Sequence, residues 1–206
     1  MYQYSSMSNN NYWITGHNGF IGNNIKKNGI QNKYNLFNIS RGYFIEKNHS
    51  LKNKIKINQI DQSIFLEDQN FLIHTAQYYN KIPNGFLEQK KIIEDNFYFG
   101  VRLLSLFNKF FFNKILTLQS CIEFDKNNND NLYAYCKSLF SEFCSLNYES
   151  HIKIYLYDTF GLNDKRNKVI DFWIKNFLRN KDINMVSDKT IINITHVDLI
   201  SSAILK

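Results

Sequence analysis

An α/β fold, a doubly wound parallel sheet with helices on both faces, is predicted by three observations. The first is a short apolar run that meets three glycines, Gly16, Gly19 and Gly22, and continues as a helical pattern over residues 20–27. The second is the alternation of apolar, strand-like runs with helical patterns up to about residue 157. The third is the presence of polar side chains at the ends of predicted strands, where α/β sheets hold their ligands.

The glycine-rich turn predicts a dinucleotide site. Residues 12–15 are aromatic and β-branched, so the order is strand, tight turn and helix. Gly16 permits the turn, Gly19 admits a pyrophosphate close to the backbone, and Gly22 lets the helix pack close to the strand. The helix N-terminus would then face the phosphates with unpaired N–H groups. On its own, a glycine triplet is also compatible with an ordinary surface turn.

A second strand is predicted over residues 34–40, and it ends about 20 residues past the glycines, where dinucleotide folds meet the adenosine ribose. A carboxylate there would accept a hydrogen bond from the ribose 2′-hydroxyl. Ser40 and Arg41 instead offer donors and a positive charge, which favours the 2′-phosphate of NADP(H). The alternative is that Arg41 is an ordinary solvated charge and that the cofactor is NAD.

The next elements continue the alternation. A weaker strand over residues 54–58 precedes a central buried strand over residues 71–76, whose His74 is either a catalytic base or a histidine bonded to backbone. A helical pattern over residues 86–108 carries two apolar stripes, which predicts one face on the sheet and one on a second subunit. We therefore expect a homodimer in which this helix and a helix over residues 132–148 form a four-helix bundle.

The chemistry is predicted at the following strand and helix. A strand over residues 114–119 ends at Ser120, and thirteen residues later a helix carries Tyr133 and Lys137. Positions i and i+4 share one helix face, so both side chains can point into the cleft at the strand ends. A lysine ammonium near a phenol lowers the phenol pKa, which predicts a tyrosine that exchanges protons with a substrate. Ser120 can hold the same substrate oxygen by a hydrogen bond.

Composition and charge exclude several classes of protein. The 206 residues suffice for one domain with a sizeable core, and the formal charge of +7 coincides with no nucleic-acid-binding motif. No apolar run reaches about 18 residues, so no membrane helix is predicted. Cys121, Cys136 and Cys144 lack paired spacing, so neither disulfides nor a metal site are expected. The first residues lack a signal-peptide pattern, so we expect a cytoplasmic protein.

Seven motifs, in this order, resemble the extended short-chain dehydrogenase/reductases, the NAD-dependent epimerase/dehydratase family that acts on nucleotide sugars. They are TGHNGFIG (15–22), IHTA (73–76), Asn96 in DNFYFG, the strand-end Ser120, Tyr133 with Lys137, DTFGLNDKRNK (158–168) and THVD (195–198). The resemblance implies a Rossmann-type fold and a catalytic triad of Ser120, Tyr133 and Lys137. Residues 156–168 and the short gap from Ser120 to Tyr133 are most similar to CDP-abequose and CDP-paratose synthases, which reduce a 4-keto sugar with NADPH.

The resemblance also implies a set of residues at the cofactor site. They are Thr15, Gly16, Asn18, Gly19, Phe20, Ile21, Gly22, Ser40, Arg41, His74, Ala76, Asn96, Lys137 and Phe160. An NAD(P)-binding domain over residues 1–157 and a partial, truncated substrate-binding region over residues 158–206 are expected. The chain departs from the family pattern at Phe124-Asp125, Leu162 and Leu199.

The predicted activity is the NADPH-dependent reduction of the 4-keto group of a nucleotide-linked deoxysugar. Two alternatives stay open. One is a nucleotide-sugar 4-epimerase with tightly held NAD, in which oxidation and re-reduction of one sugar consume no cofactor. The other is a truncated, non-catalytic module that binds the dinucleotide and turns nothing over.

Overall fold

The computed structural model describes residues 9–47, 54–80, 83–124, 131–166, 168–183, 187, 189 and 191–206. Asp125, one of the departures from the family pattern, and residue 167 of the 158–168 motif lie outside these ranges. The strands are β1 (Asn10–Thr15), β2 (Asn35–Ile39), β3 (Phe44–Lys47), β4 (Ile55–Lys56), β5 (Gln69–His74), β6 (Lys114–Ser120), β7 (His151–Leu156), β8 (Asp158–Phe160) and β9 (Ile194–His196). The α-helices are α1 (Phe20–Gln31), α2 (Gly85–Ile93), α3 (Phe99–Ser105), α4 (Leu132–Asn147), α5 (Val169–Phe177) and α6 (Val197–Ile204).

Seven strands form one sheet in the order β4-β3-β2-β1-β5-β6-β7. Five neighbouring strands, in the order β2, β1, β5, β6 and β7, pair in parallel, which confirms the predicted Rossmann-type fold. β3 and β4 differ from the prediction, because they extend the β2 edge in antiparallel pairing. β3 has only four residues, too few for a clear periodic pattern. A strand is predicted over residues 54–58, but only the two residues of β4 form one, and the 3₁₀ turn Ile57–Gln59 follows them.

The turn from β1 to α1 confirms the predicted roles of two glycines. Gly16 has a φ of +68°, and a Cβ at this residue would lie 2.6 Å from the backbone nitrogen of Ala76. A Cβ at Gly22 would collide with the carbonyl oxygen of Gly16 and lie 2.6 Å from Oγ1 of Thr75. Because no side chain fits at either position, helix α1 can begin directly against the ends of β1 and β5.

Trp13 of β1 lies at the centre of the larger hydrophobic core and is 0% exposed. Its ring stacks on Phe37 with 4.2 Å between centroids and meets the edges of Phe107 and Phe111. Its indole Nε1 donates a hydrogen bond to Oδ1 of Asn70 at 3.0 Å, so its polar group is also satisfied. This core covers one face of the sheet.

Helices α1 and α6 cover the other face together. Nδ2 of Asn28 in α1 donates to Oγ of Ser202 in α6 at 3.0 Å, and the Tyr12 hydroxyl donates to the carbonyl of Leu205 at 3.3 Å. A part of the predicted substrate-binding region thus packs on the dinucleotide fold, whereas β8 and β9 form a separate parallel pair. The division at residue 157 stays a prediction. Across the described ranges, no helix combines the length and apolar character that a bilayer crossing requires.

The long helix predicted over residues 86–108 is interrupted by a π-helical turn, Glu94–Tyr98, between α2 and α3. Both of its apolar stripes pack against the core of this same chain, with Leu103 and Leu104 buried and Phe97 and Val101 partly buried. The inference that one stripe requires a second subunit is therefore wrong. A single residue added to one turn rotates the helix faces, and sequence spacing does not reveal such a π-bulge.

Trp13→Ala should lower the free energy of unfolding by about 3–5 kcal/mol, because it leaves a cavity among aromatic rings and removes the buried hydrogen bond from the indole to Asn70. Phe110→Ala is the matched control, since Phe110 is 86% exposed and its loss should cost less than about 0.5 kcal/mol. Urea unfolding followed by circular dichroism measures both values. Equal losses in the two variants would contradict the central position of Trp13.

Candidate active site

A cavity of about 850 Å³ lies where β1, β5, β6 and β7 end. Its walls come from the glycine-rich turn, the residues after β5, the end of β6, helix α4 and the loop after β8. The parallel strands place their carboxyl ends at one edge, so the predicted ligand-binding edge and the observed cavity coincide. The cavity brings together eight predicted residues: Asn18, Gly19, Phe20, Ile21, Gly22, Ser120, Tyr133 and Lys137.

The N-terminus of α1 has the properties of an anion site. Gly19 is its N-cap residue, no side chain caps the helix, and its first turn carries no acidic residue. The amide of Gly19 donates to the carbonyl of Gly16 at 2.8 Å, which closes the turn tightly. Backbone N–H groups and the positive end of the helix dipole therefore face the cavity, which is the arrangement that binds anions in proteins.

Helix α4 carries the predicted tyrosine and lysine one turn apart. The helix begins where Oδ1 of Asn131 accepts a hydrogen bond from the amide of Ala134, a cap that sets its register. Tyr133 and Lys137 are both buried and line the cavity, with Nζ of Lys137 5.4 Å from the centroid of the Tyr133 ring. Ser120 reaches the same cavity from the end of β6.

The electrostatics of this group differ from the expectation that the lysine lowers the phenol pKa. Burial raises the pKa of Tyr133 well above its usual range, and Glu123 and Tyr79 add to this increase, although Arg166 opposes it. Lys137 lies over the ring and does not reach the hydroxyl. Burial lowers the pKa of Lys137 to about 8, while Glu123 raises it. Tyr133 is therefore a neutral phenol across the physiological range, which suits a proton donor.

Two residues that contact this group have no predicted role. Gln77 accepts a hydrogen bond from the Tyr133 hydroxyl at 2.7 Å, and Glu123 accepts one from the backbone N–H of Ser120 at 2.7 Å. Both lie within three residues of a strand end, Gln77 after His74 of β5 and Glu123 after β6. Position after a parallel strand is the signal that could have found them, because such residues border the cleft.

The predicted 2′-phosphate residues lie outside this cavity. Nη1 of Arg41 is 2.9 Å from Oδ2 of Asp95 in the π-helical turn, although no N–H group is aligned with that oxygen. Burial raises the pKa of Asp95, and the Arg41 charge opposes this increase. Oγ of Ser40 donates to the carbonyl of Phe44 at 3.4 Å. The positive charge predicted for a phosphate therefore already contacts a carboxylate from a distant part of the sequence.

Other predicted residues hold the scaffold together. Oγ1 of Thr15 accepts hydrogen bonds from the amides of Thr75 and Ala76 and lies 3.1 Å from Nδ1 of His74. Burial lowers the pKa of His74 to about 3, so this histidine is neutral, which favours a structural role over that of a base. The ring of Phe160 packs edge-on against His196 beside the β8–β9 pair.

Asn96 is a second internal anchor. It is buried in the π-helical turn, where its Nδ2 donates to the carbonyls of Tyr78 and Ile92 and its Oδ1 accepts from the amide of Tyr78. All of these partners are backbone groups of this chain. Asn96 therefore determines the path of the segment that follows β5 and does not line the large cavity.

Three cations line another part of the same cavity. They are Lys165, Arg166 and Lys168 of the loop after β8. The Arg166 guanidinium lies 4.3 Å from the centroid of the Phe20 ring and donates to Thr159, while Lys168 pairs with Asp158 at 3.2 Å. The 158–168 motif contains these charges but offers no prediction of which way they face, because the loop follows no helix or strand period.

Comparisons with known proteins agree with this geometry. The model of the NAD dependent epimerase/dehydratase family matches residues 12–198. Similar solved structures include UDP-glucuronic acid 4-epimerase from Bacillus cereus in complex with NAD and a fluorinated UDP sugar, with 16% identity, a TM-score of 0.69 and coverage of 95% of this chain and 72% of that one. Among curated proteins no sequence matches significantly.

Two further structures have the same overall fold. UDP-glucose 4-epimerase from Thermotoga maritima has 15% identity and a TM-score of 0.67 over 95% of this chain and 72% of its own. TunA, an NAD-dependent NDP-hexosamine 5,6-dehydratase, has 13% identity and a TM-score of 0.70 over 95% and 70%. At such identities the likeness shows the fold, and the family match extends over most of the sequence. The chain therefore belongs to the NAD dependent epimerase/dehydratase family of enzymes.

Proposed function

We propose that the protein reduces the 4-keto group of a nucleotide-linked deoxysugar with NADPH, as CDP-abequose and CDP-paratose synthases do. One observation carries the proposal: Ser120, Tyr133 and Lys137 line a single cavity with the glycine-rich turn. A proton donor and an anion site at one cavity are what carbonyl reduction by a dinucleotide requires. The nucleotide-sugar enzymes among the structural relatives support this substrate class.

The residues present fit a nicotinamide dinucleotide. The N-terminus of α1 and the glycine-rich turn would hold the pyrophosphate, and Lys137 would contact the nicotinamide ribose. When bound, the nicotinamide supplies the hydride. Tyr133 donates its phenolic proton to the substrate carbonyl oxygen, Ser120 holds that oxygen by a hydrogen bond, and the Lys137 charge stabilises the phenolate that remains.

The loop after β8 would bind the nucleotide diphosphate of the substrate. Lys165, Arg166 and Lys168 line the same cavity as the glycine-rich turn, so a second anionic group would meet their positive charge there. This assignment makes residues 158–168 the first part of the substrate-binding region.

A 4-epimerase with bound NAD is the second candidate. The Arg41–Asp95 contact favours it, because a carboxylate beside Arg41 neutralises the charge that would select a 2′-phosphate. The two activities differ in their cofactor balance. Reduction consumes one NADPH for each sugar, whereas epimerisation leaves the cofactor unchanged, so following NADPH absorbance and sugar products together separates them.

Tyr133→Phe should lower the rate of 4-keto sugar reduction by ~10²- to 10⁴-fold, because it removes the proton donor but keeps the ring packing. Tyr135→Phe is the matched control, since Tyr135 lies on the same helix and is 64% exposed. The measurement is NADPH oxidation with a CDP-linked 4-keto-dideoxyhexose. Unchanged activity in Tyr133→Phe would contradict the proposed role, and a wild type that binds NADPH without turnover would favour the non-catalytic module.

Wild-type protein should bind NADPH roughly ten- to a hundredfold more tightly than NADH if Arg41 contacts the 2′-phosphate. Arg41→Ala should remove most of this preference and leave NADH binding nearly unchanged. Asp95→Asn should increase the preference, because it releases Arg41 from the carboxylate. Fluorescence titration gives all the dissociation constants. Equal values for the two cofactors in the wild type would favour the NAD-dependent alternative.

We also propose a homodimer. Its contacts would come from exposed apolar residues other than the two apolar stripes predicted for residues 86–108. Helix α4 exposes Tyr135, Leu139 and Leu146, and α2 exposes Phe86 and Leu87. These side chains would be covered if the helices paired across a twofold axis as a four-helix bundle.

Leu139→Arg should convert the dimer to a monomer at micromolar concentration, because it places a charge within the paired helices. Phe110→Arg is the control, since Phe110 is exposed outside these helices. Analytical ultracentrifugation measures both variants. A monomeric wild type would rule out the assembly.

A further inference from the structure

We propose that Gln77 is a positioning residue that holds Tyr133 as a neutral, proton-donating phenol and so biases the site toward reduction. The proposal builds on the proposed function, because it assumes that Tyr133 is the group that exchanges a proton with the substrate. Gln77 and Tyr133 both line the large cavity, and no sequence motif marks Gln77. Its role follows from the hydrogen bonds on its two amide atoms.

The direction of the Tyr133–Gln77 hydrogen bond is determined by the second partner of Gln77. Nε2 of Gln77 lies 3.1 Å from the backbone carbonyl of Leu118 in β6, and a carbonyl can only accept. The NH₂ group must therefore face Leu118, and Oε1 must face Tyr133. Because an amide oxygen cannot donate, the proton in the 2.7 Å contact belongs to the Tyr133 hydroxyl. The opposite orientation of the amide would set two acceptor oxygens against each other at Leu118, and that hydrogen bond would be lost.

The backbone on both sides of Gln77 is anchored to other elements. The amide of Ala76 donates to Oγ1 of Thr15 at 3.2 Å, and the amide and carbonyl of Tyr78 both bond to the buried side chain of Asn96. Gln77 thus lies between one residue tied to β1 and another tied to the π-helical turn. Its side chain reaches Tyr133 from a rigid support, as a positioning role requires.

Two of the groups around Tyr133, Glu123 and Tyr79, act in the same direction as Gln77. From outside its own helix, Glu123, Tyr79 and Arg166 face the phenol, and Lys137 lies over its ring from the next turn of α4. Glu123 and Tyr79 disfavour the phenolate, and only Arg166 among these three favours it. Gln77 adds an acceptor that stabilises the neutral phenol alone, since a phenolate would place two lone-pair-bearing oxygens 2.7 Å apart.

As a consequence, the Tyr133 hydroxyl already carries its proton before the substrate binds. A substrate carbonyl in the cavity would replace Gln77 as the acceptor of the same hydroxyl proton, so Tyr133 needs no prior protonation step. In the reverse direction, oxidation of an alcohol requires a phenolate as the base, which Gln77 disfavours. Gln77 therefore supports the donor role and opposes the base role of Tyr133.

The test places 3,5-difluorotyrosine at position 133 by site-specific incorporation. Fluorination brings the ionisation of the phenol into a pH range where proteins stay folded, and ¹⁹F NMR then reports this one residue among all tyrosines. Gln77→Met keeps the side-chain length but removes the acceptor. Its ionisation midpoint should fall by about one pH unit, a tenfold change in the ionisation constant. Gln77→Ala, which also removes the acceptor but leaves a shorter side chain, should lower the ionisation midpoint as well.

Two variants control for effects of structure. Gln77→Glu keeps an acceptor at the phenol, so its midpoint should not fall below the wild-type value. Gln62→Met is the matched control, because Gln62 also bridges a carbonyl and a donor: it donates to Leu106 at 2.9 Å and accepts from the Asn108 amide at 2.9 Å. Its midpoint should equal that of the wild type. An unchanged midpoint in a folded Gln77→Met or Gln77→Ala protein, or a similar shift in Gln62→Met, overturns the proposal.

The titration needs neither cofactor nor substrate, so it separates this proposal from the proposed function. Loss of the midpoint shift with intact 4-keto reduction would overturn the role of Gln77 alone. A shifted midpoint in a protein whose Tyr133→Phe variant keeps full activity would support the Gln77 contact and contradict the catalytic assignment.

Discussion

The close approach of the glycine-rich turn to the end of β5 is the constraint on which the rest of the structure depends. The backbone of Gly16 lies so near Ala76 that a Cβ would be 2.6 Å from its nitrogen, and Gly22 allows α1 to begin over the same point. Thr15 reinforces the contact with hydrogen bonds to the amides of Thr75 and Ala76. This joint fixes the N-terminus of α1 beside the ends of two central strands, where the cavity lies.

The same joint positions the acid–base group indirectly. The segment after β5 leaves Ala76 in a direction set by Thr15 on one side and Asn96 on the other, and it carries Gln77 to the Tyr133 hydroxyl. Residues that the family resemblance assigns to the cofactor thus act here as supports for the site. A buried asparagine or threonine whose hydrogen bonds are all made to other groups of the chain has little capacity left for a ligand.

Burial is the strongest influence on the ionisable groups at the cavity. It raises the pKa of Tyr133 and lowers that of Lys137 to about 8, so each group favours its neutral form more than it would in water. Glu123 counteracts burial at Lys137 and adds to it at Tyr133. One carboxylate therefore helps to keep the lysine charged and the tyrosine protonated, and both conditions suit proton donation followed by stabilisation of the phenolate.

The amino-acid sequence by itself determines the order of the parallel strands and helices, the turn at Gly16 and Gly22, and the face of α4 that carries Tyr133 and Lys137. These features follow from local periods and from the absence of a Cβ, both of which are visible in a single stretch of chain. Only the tertiary structure decides the π-helical turn, the antiparallel edge of β3 and β4, and the partners of Arg41 and Tyr133. Asp95 lies 54 residues from Arg41 and Gln77 lies 56 residues from Tyr133 in the sequence. No local pattern encodes such pairs, because packing of separate elements around the sheet brings them together. The charge available at Arg41 and the proton held by Tyr133 depend on those contacts.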